Sequence, residues 1–336
     1  MRVIRKWWRG LRATPSDASS AAYGPGTCVS ADELLQLRHA AAGIALGNRS
    51  RVGSMLAGGY ASRFRGRGMD YLESRSYQQG DDIRNMDWRV TARACEPHVK
   101  LFQEERERPV VVMVDLNPTM FFGTRGAYKS VIAARAAALI GWAAVANGDR
   151  IGALLFNGGH EELQPCGRRR GVLRLIRKLV SATDPVAGMK AEQHPDGLNE
   201  ALRRLRRVAR PGSLIFVLSD FYAMDDTSGK HLQYLRRHND VLAVQIVDAL
   251  ELAPPPPGLY GVTDGVNTGI LDLLSRTRQD ACSEYLARHH RQIREQMRQR
   301  AINLLQLNTA DEVSGKLRLG LAGISSRAAP VAEKVA

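Results

Sequence analysis

Short apolar runs alternate with amphipathic segments between residues 109 and 312. The runs "VVVMVDL", "RIGALLF", "GSLIFVLSD" and "DVLAVQIVD" are rich in Val, Ile and Leu and lack polar alternation. This pattern predicts strands that are buried on both faces, as in a parallel sheet. The segments between them, such as "AYKSVIAARAAALIGWAAVANG" and "RRRGVLRLIRKLVSA", have helical spacing. The sequence therefore predicts an α/β fold with a doubly wound, mostly parallel sheet and Rossmann-type layering.

Further segments complete the predicted α/β domain. A short strand is expected near "EELQPC", and "DGLNEALRRLRRVA" and "GKHLQYLRRH" are predicted helices. After the break "LAPPPPG" we expect a short strand in "LYGVTDG" and a long polar helix at about 277–300.

The pattern divides the chain into four parts. Residues 1–29 are predicted to be a disordered basic tail, and 30–108 a small α+β module whose strands extend the following domain. Its first helix opens with Ser30 and Glu33, a capping pair. Residues 109–312 form the α/β domain, and 313–336 are predicted to be a disordered tail because their apolar periodicity is weak.

The charge balance indicates which kinds of partner the chain can attract. The chain has 336 residues and a net charge of +14. Such a field favours an acidic protein, nucleic acid or an anionic membrane surface, although a basic solubilising surface explains it equally well. Two predicted helices carry arginine clusters, for which a solvated face is the first interpretation. The clusters are Arg168, Arg169, Arg170, Arg174, Arg177 and Lys178, and Arg203, Arg204, Arg206, Arg207 and Arg210.

Cysteine usage and hydropathy favour the cytoplasm. The four cysteines form no CxxC pair, which disfavours a zinc site or a disulfide framework. The most apolar helical segment is broken by Arg135 and is predicted to be a buried helix, so no membrane span is expected. The basic N-terminal stretch lacks the apolar core of a secretory signal. The expected location is the cytoplasm, with the inner face of the membrane as the alternative.

A candidate site follows the first strand of the α/β domain. Asp115 ends that strand, and Asn117 and Thr119 follow at alternating positions. Asp220 ends a later strand, and ligands of doubly wound sheets bind at such strand ends. An oxygen-only set of this kind suits Mg²⁺. The spacing alone leaves a second interpretation open, namely a strand that simply stops at a turn.

The stretch "DLNPTM" resembles the D-x-S-x-S metal-ion-dependent adhesion motif of von Willebrand factor A domains. Asn117 and Thr119 stand where that motif has serines, and Asp220 falls at its distal aspartate. The resemblance also implies a ligand from the loop before a helix, a position that Asp196 occupies here. It implies a bound divalent cation with an open position that an acidic protein ligand would complete.

The block "YQQGDDIRNMDWRVTAR" resembles the signature of the domain-of-unknown-function 58 (DUF58) family, in which it precedes a von Willebrand A-like domain. The matching positions, with those just before the block, are Glu73, Arg75, Tyr77, Gly80, Asp81, Arg84, Asp87, Trp88, Ala92 and Arg93. Asp81 and Asp87 are expected to pair with Arg84 and Arg93, with Trp88 packed beneath. We interpret the block as structural or as a docking surface for a partner.

The resemblance implies a non-enzymatic interaction scaffold that works with a MoxR-type AAA+ ATPase to assemble or activate a target complex. Two other hypotheses stay open. The basic helices allow nucleic-acid binding, although no aromatic residues interleave with them as a stacking platform would require. Asp115, Asp196 and Asp220 allow a metal-dependent hydrolase, although no GxSxG, phosphate-cradling or HExxH motif is present.

Overall fold

A computed structural model describes residues 26–46, 69–104, 108–190, 196–263 and 268–327. These residues form two compact units. The larger unit takes its described residues from Met1–Asn48 and Arg108–Ala336, and the smaller unit takes them from Arg49–Glu107.

Helices and strands are numbered here in chain order over the described residues. The helices are α1 (Ala31–Ala41), α2 (Trp88–Ala94), α3 (Lys129–Ala146), α4 (Arg168–Ala182), α5 (Pro185–Lys190), α6 (Gly197–Val208), α7 (Asp226–His238), α8 (Ala249–Leu252), α9 (Arg276–Gln299) and α10 (Val313–Arg327). The strands are β1 (Met69–Ser76), β2 (His98–Glu104), β3 (Pro109–Asp115), β4 (Arg150–Asn157), β5 (Gly159–Gly167), β6 (Leu214–Ser219), β7 (Asp240–Val247), β8 (Leu259–Thr263), β9 (Thr268–Asp272) and β10 (Asn303–Asn308). Two 3-10 helices span Ile83–Asn85 and Pro118–Met120.

A six-stranded sheet in the order β10-β7-β6-β3-β4-β5 forms the centre of the larger unit. All neighbours are parallel except β5, which runs antiparallel to β4 at the edge. The order has the arrangement of a doubly wound sheet, with its switch point between β3 and β6. The predicted mostly parallel α/β sheet is confirmed.

Helices cover both faces of this sheet. Val112 and Val114 of β3 pack into a core with α1, α3, α4 and α10. Val111 and Met113, on the other face of the same strand, pack with α6, α7 and α9. Both faces of β3 are therefore buried, which explains why its sequence is continuously apolar.

Helix α3 is the central helix of the larger unit. Among the described residues it is the one helix long and apolar enough to cross a bilayer, and 83% of it is buried within the fold. A core helix of a sheet that is covered on both faces has the same character. The predicted buried helix is confirmed, and Arg135 on it pairs with Glu33 of α1.

Helix α1 belongs to the larger unit, which corrects the predicted boundary between residues 29 and 30. Ser30 caps it as predicted, through a bond from the Glu33 amide. Leu34 is fully buried, and its carbonyl accepts a 3.0 Å bond from Trp142 Nε1 on α3. The apolar face of α1 thus needs α3 as its partner, so α1 does not form part of the smaller unit. Of the tail predicted at 1–29, residues 1–25 lie outside the described residues.

The C-terminal region is also ordered where a tail was predicted from residue 313. Strand β10 adds the sixth strand beside β7, and α10 follows it. Leu317 and Leu321 of α10 are buried in the core that contains α3. A Cβ on Gly320 would lie 2.3 Å from the Leu305 side chain, so glycine lets α10 approach β10 closely. Three glycines weaken the helix signal of "VSGKLRLGLAGISSR", and tertiary packing overrides it.

Two small antiparallel sheets lie outside the six-stranded sheet. In the smaller unit, β1 pairs with β2 in antiparallel orientation. The pairing runs from Met69 opposite Glu104 to Ser76 opposite His98. These strands form their own sheet, which corrects the prediction that they extend the sheet of the following domain. In the larger unit, the predicted strand in "LYGVTDG" is β8, and it forms a hairpin with β9.

Candidate functional site

The predicted strand-end carboxylates do converge at the switch point. Strands β3 and β6 are hydrogen-bonded neighbours in register, with Val114 opposite Leu218. The next residues, Asp115 and Ser219, therefore end their strands at the same edge of the sheet, and Asp220 follows Ser219. This edge is where ligands bind in doubly wound folds.

Asp115 is buried at this edge, with 3% exposure. Its Oδ1 accepts a 3.0 Å bond from the Asn117 amide, and its Oδ2 accepts a 2.6 Å bond from Ser219 Oγ. Burial and the negative charge of Asp220 raise the pKa of Asp115 to about 7, against the opposing effect of the Ser219 bond. Asp115 therefore changes charge near neutral pH.

Asp220 is paired with a buried lysine. Lys129, the first residue of α3, donates from Nζ to Asp220 Oδ2 at 2.9 Å and to Glu251 Oε1 at 2.6 Å. Burial lowers the pKa of Lys129, but the charges of Asp220 and Glu251 outweigh it and raise that pKa. The other oxygen of Asp220 accepts a 3.1 Å bond from the Tyr222 amide. Asp115, Lys129, Asp220 and Glu251 are called the switch-point cluster below.

Helix α9 adds aromatic side chains beside the switch-point cluster. The His289 ring stacks on Tyr222 with centroids 4.4 Å apart, and Tyr222 lies over the Lys129 ammonium at 5.1 Å. Burial and the neighbouring His290 lower the pKa of His289 to about 4. His290 Nε2 lies 2.8 Å from the Glu251 carbonyl oxygen, which fits a hydrogen bond from its N–H. These rings are neutral at pH 7, so the charge of the cluster rests with its four members.

The other predicted ligands occupy different environments. Asn117 precedes the 3-10 helix Pro118–Met120, which contains Thr119, and both side chains are half-buried. Asp196 is exposed at the start of α6, where its side chain makes no capping bond. The structure thus brings Asp115 and Asp220 together but does not group Asp196 with them.

The residues present do not fit a divalent ion at this edge. Within the described ranges, no three His, Cys, Asp or Glu side chains are arranged to hold a metal ion. Mg²⁺ requires octahedral oxygen ligands at about 2.0–2.1 Å. Both oxygens of Asp115 and both oxygens of Asp220 already accept protein hydrogen bonds, and the ammonium of Lys129 lies against Asp220. An ion bound by Asp220 Oδ2 would have to displace that ammonium.

Sequence reasoning missed Lys129 and Glu251. Lys129 carried one usable signal, because it begins a long apolar helix at the end where the helix dipole disfavours a cation. A lysine in that position indicates an acidic partner elsewhere in the chain. Glu251 carried only a local signal, since it completes a capping box with Asp248 at the start of α8.

The signature block forms a structural network within the smaller unit. Asp81 pairs with Arg75 at 2.9 Å and also accepts a bond from the Gln78 amide. Asp87 caps α2 through the Arg89 and Val90 amides and accepts a 2.8 Å bond from Ser74 Oγ. The two aspartates therefore hold the turn and the helix start in place.

Part of the predicted network was wrong. The side chains of Arg84 and Arg93 are exposed. Asp81 pairs instead with Arg75, at the end of β1. Trp88 is 66% exposed, since the first turn of α2 faces outward. Gly80 adopts a positive φ of 105°, which favours glycine in this turn, and the Tyr77 amide donates to the Pro97 carbonyl. Glu73 lies in β1, and its side chain is outside the described ones.

The fold and the switch-point cluster define a class, a doubly wound α/β protein with a closed ionic site at its switch point. A family model described as "Protein of unknown function DUF58" matches residues 73–296, more than half of the chain. The chain belongs to this DUF58 family. The family predicted from the signature block is confirmed.

Two similar proteins come from mycobacteria. They are "Uncharacterized protein Mb1516" of Mycobacterium bovis and "Uncharacterized protein Rv1480" of Mycobacterium tuberculosis. Each is 30% identical over 211 residues, which cover 62% of this chain. The match spans 65% of the length of these relatives.

Two solved structures are distantly similar. One is BatB from Bacteroides thetaiotaomicron, with a TM-score of 0.39 and 10% identity. The other is an aerotolerance-related membrane protein from Bacteroides fragilis, with a TM-score of 0.39 and 12% identity. Each match covers 65% of this chain and 99% of the other chain. Scores at this level do not support an inference about function.

Proposed function

We propose that this chain is a non-enzymatic interaction scaffold whose larger unit is a von Willebrand A-like domain. In this proposal it works with a MoxR-type AAA+ ATPase in the assembly or activation of a target complex, in the cytoplasm. The family assignment and the position of "DLNPTM" at the end of β3 support the proposal.

The observation that carries the non-enzymatic role is the closure of the switch-point cluster. Asp115 and Asp220 are each 3% exposed, and Lys129 is fully buried. Lys129 bonds to Asp220, and the two aspartates also accept bonds from backbone amides and from Ser219 Oγ, so their polar atoms are turned to the protein and not to solvent. A hydrolase would need one of these groups to reach a substrate. The closed cluster therefore favours the scaffold over the hydrolase.

The partner would dock elsewhere, on the basic face of α4. Arg170, Leu173, Arg174 and Arg177 line a shallow surface depression, and Leu173 is 48% exposed. The three arginines recur at helical spacing, so their guanidinium groups share one exposed face. We expect an acidic surface of the ATPase to bind there. This docking needs no divalent ion, and at the switch-point cluster the Lys129 ammonium already contacts Asp220.

Co-purification with a MoxR-type ATPase from the same genome tests the proposal. We expect a stable complex that the double variant Arg174→Glu/Arg177→Glu weakens by about tenfold or more, because reversed charges repel an acidic partner. The matched control is Arg207→Glu/Arg210→Glu, which makes the same charge change in the last turn of α6 and just after that helix, which packs on the opposite face of the sheet. The control should bind like the natural chain.

Two results would contradict the proposal. One is no complex between the natural chain and the ATPase at physiological salt. The other is turnover of a phosphoester or peptide substrate by the purified chain that Asp115→Ala abolishes. The second result would restore the hydrolase hypothesis.

A further inference from the structure

The Lys129 ammonium is enclosed on several sides. Two carboxylates contact it, Asp220 at 2.9 Å and Glu251 at 2.6 Å. Two aromatic rings lie near it, Tyr222 at 5.1 Å and Phe122 at 6.0 Å from Nζ to the ring centroid. Carboxylates and aromatic faces are the groups that stabilise an ammonium away from water. The surroundings of Nζ therefore stabilise a buried ammonium group.

This enclosure keeps the lysine charged. An unpaired ammonium is expensive to bury, by several kcal/mol after relaxation. Here the charges of Asp220 and Glu251 raise the pKa of Lys129 despite its burial. The positive charge is therefore a permanent part of the folded chain at physiological pH.

The ammonium contacts one of the two aspartates that the resemblance to the adhesion motif assigns to a metal ion. That residue is Asp220, whose Oδ2 accepts from Lys129. The other is Asp115, whose Oδ2 accepts from Ser219. A divalent ion at this edge would face a fixed positive charge, and the two cations would repel each other.

We propose that the Lys129 ammonium is the resident cation of the strand-end site and takes the place of a divalent metal ion. The site then acts as an internal clamp that joins the start of α3 to the chain after β6 and after β7. This inference does not depend on the partner assigned above, because it concerns the cation inside the larger unit. A complex with the ATPase can fail while the clamp stands, and the reverse also holds.

Manganese binding to the natural chain is the direct test. The full chain is treated with a chelator, exchanged into chelator-free buffer and titrated with Mn²⁺, while electron paramagnetic resonance counts the free ion. We expect the free Mn²⁺ signal to match that of protein-free buffer. Binding of one Mn²⁺ per chain that Asp220→Asn abolishes would overturn the proposal.

Chemical labelling tests the enclosure in the same natural chain. The folded protein is exposed briefly to an amine-acylating reagent and digested for mass spectrometry. Lys129 should stay unmodified, whereas Lys230 and Lys316 should react, because both are exposed on helices. Acylation of Lys129 at the rate of Lys230 would contradict a closed ammonium site.

Paired variants test whether the charge itself is needed. Lys129→Met keeps the side-chain length but leaves two buried carboxylates unpaired, and we expect the thermal midpoint to fall by about 10 °C. The double variant Lys129→Met/Asp220→Asn should lose less than the sum of the two single losses. Additive losses would indicate packing without charge pairing. Lys178→Met is the matched control, because Lys178 pairs with Glu161 on the surface, and it should change the midpoint little.

Lys129→Met can fail to fold, but the proposal does not rest on that variant. The manganese and labelling measurements use the natural chain and decide the proposal without it.

Discussion

At the scale of single residues, the main feature of the switch point is a set of buried charged side chains and the groups that bond to them. The ammonium of Lys129 sits at the helix end where the macrodipole is unfavourable to a cation, so its stabilisation comes from outside the helix. Asp220 and Glu251 provide it. Asp115 has no such cation bonded to it and is held by Ser219 and the Asn117 amide, with a raised pKa. Asp115 and Asp220 thus lie at the same strand-end edge but differ in their partners, because Asp220 bonds to the lysine and Asp115 does not.

Replacing Asp115 with Asn should change how stability depends on pH. The raised pKa of about 7 means that the folded chain retains a proton that the unfolded chain releases from about pH 4 upwards. The stabilisation from this proton is complete below about pH 4 and is lost as the pH rises through about 7. Between pH 5 and pH 7, we expect the natural chain to lose stability relative to Asp115→Asn by up to about 1.4 kcal/mol per pH unit.

Urea unfolding of both proteins across this pH range measures the difference. Other titrating groups are shared, so they largely cancel in the comparison. Parallel pH profiles would show that Asp115 ionises as freely in the folded chain as in the unfolded chain.

Close packing between elements determines how the helices sit on the sheet. Gly171 in α4 is an example, since a Cβ there would lie 2.3 Å from the Cys166 carbonyl oxygen and 2.7 Å from the Ile151 side chain. The absence of a side chain lets α4 pack directly against β4 and β5. Gly320 also lies close to β10, but there the nearest atoms belong to the Leu305 side chain, which can move more easily than a backbone oxygen. Glycine, usually unfavourable in helices, is here a requirement of helix–sheet packing.

Two helix glycines should respond to alanine in opposite ways. Gly171→Ala should destabilise the chain by about 1–3 kcal/mol, because the backbone oxygen in its way cannot move freely. At Gly323 in α10 a Cβ would meet no atom of the described residues within 4 Å, so Gly323→Ala should be neutral or stabilise by up to about 1 kcal/mol. Urea unfolding midpoints test both. Equal effects at the two positions would mean that α4 can shift away from β5 at little cost.

At the scale of the whole molecule, the net charge sets the long-range attraction to polyanions, whereas the fold sets where the arginine clusters lie. The net charge of +14 gives long-range attraction to any polyanion, but it does not identify a partner. The arginines of α4 and those of α6 lie on opposite faces of the central sheet. Within the part of the chain that the structure describes, these two arginine clusters are therefore divided between the two faces of the sheet.

Binding to arbitrary duplex DNA should be weak and strongly salt-dependent. We expect retention at low ionic strength to disappear between about 50 and 200 mM salt, since counterion release alone would drive it. Fluorescence anisotropy with a labelled duplex at several salt concentrations measures this. Tight binding that survives physiological salt would favour the nucleic-acid hypothesis over the scaffold.

The pattern of the sequence determined the α/β class, most strands of the sheet and the convergence of Asp115 and Asp220. Each of these depends on local information, because a strand buried on both faces is continuously apolar and parallel strands end at one edge. The signature block likewise identified the DUF58 family from contiguous residues.

Tertiary structure alone decided which cation the strand-end carboxylates meet. Lys129 lies 91 residues from Asp220 and 122 residues from Glu251 along the chain, and no local pattern links them. It also decided that α1 and α10 pack on α3, because their apolar residues are too few and too interrupted by glycine or polar positions to identify a partner. Local periodicity specifies elements, whereas the pairing of a buried charge depends on which elements the folded chain brings together.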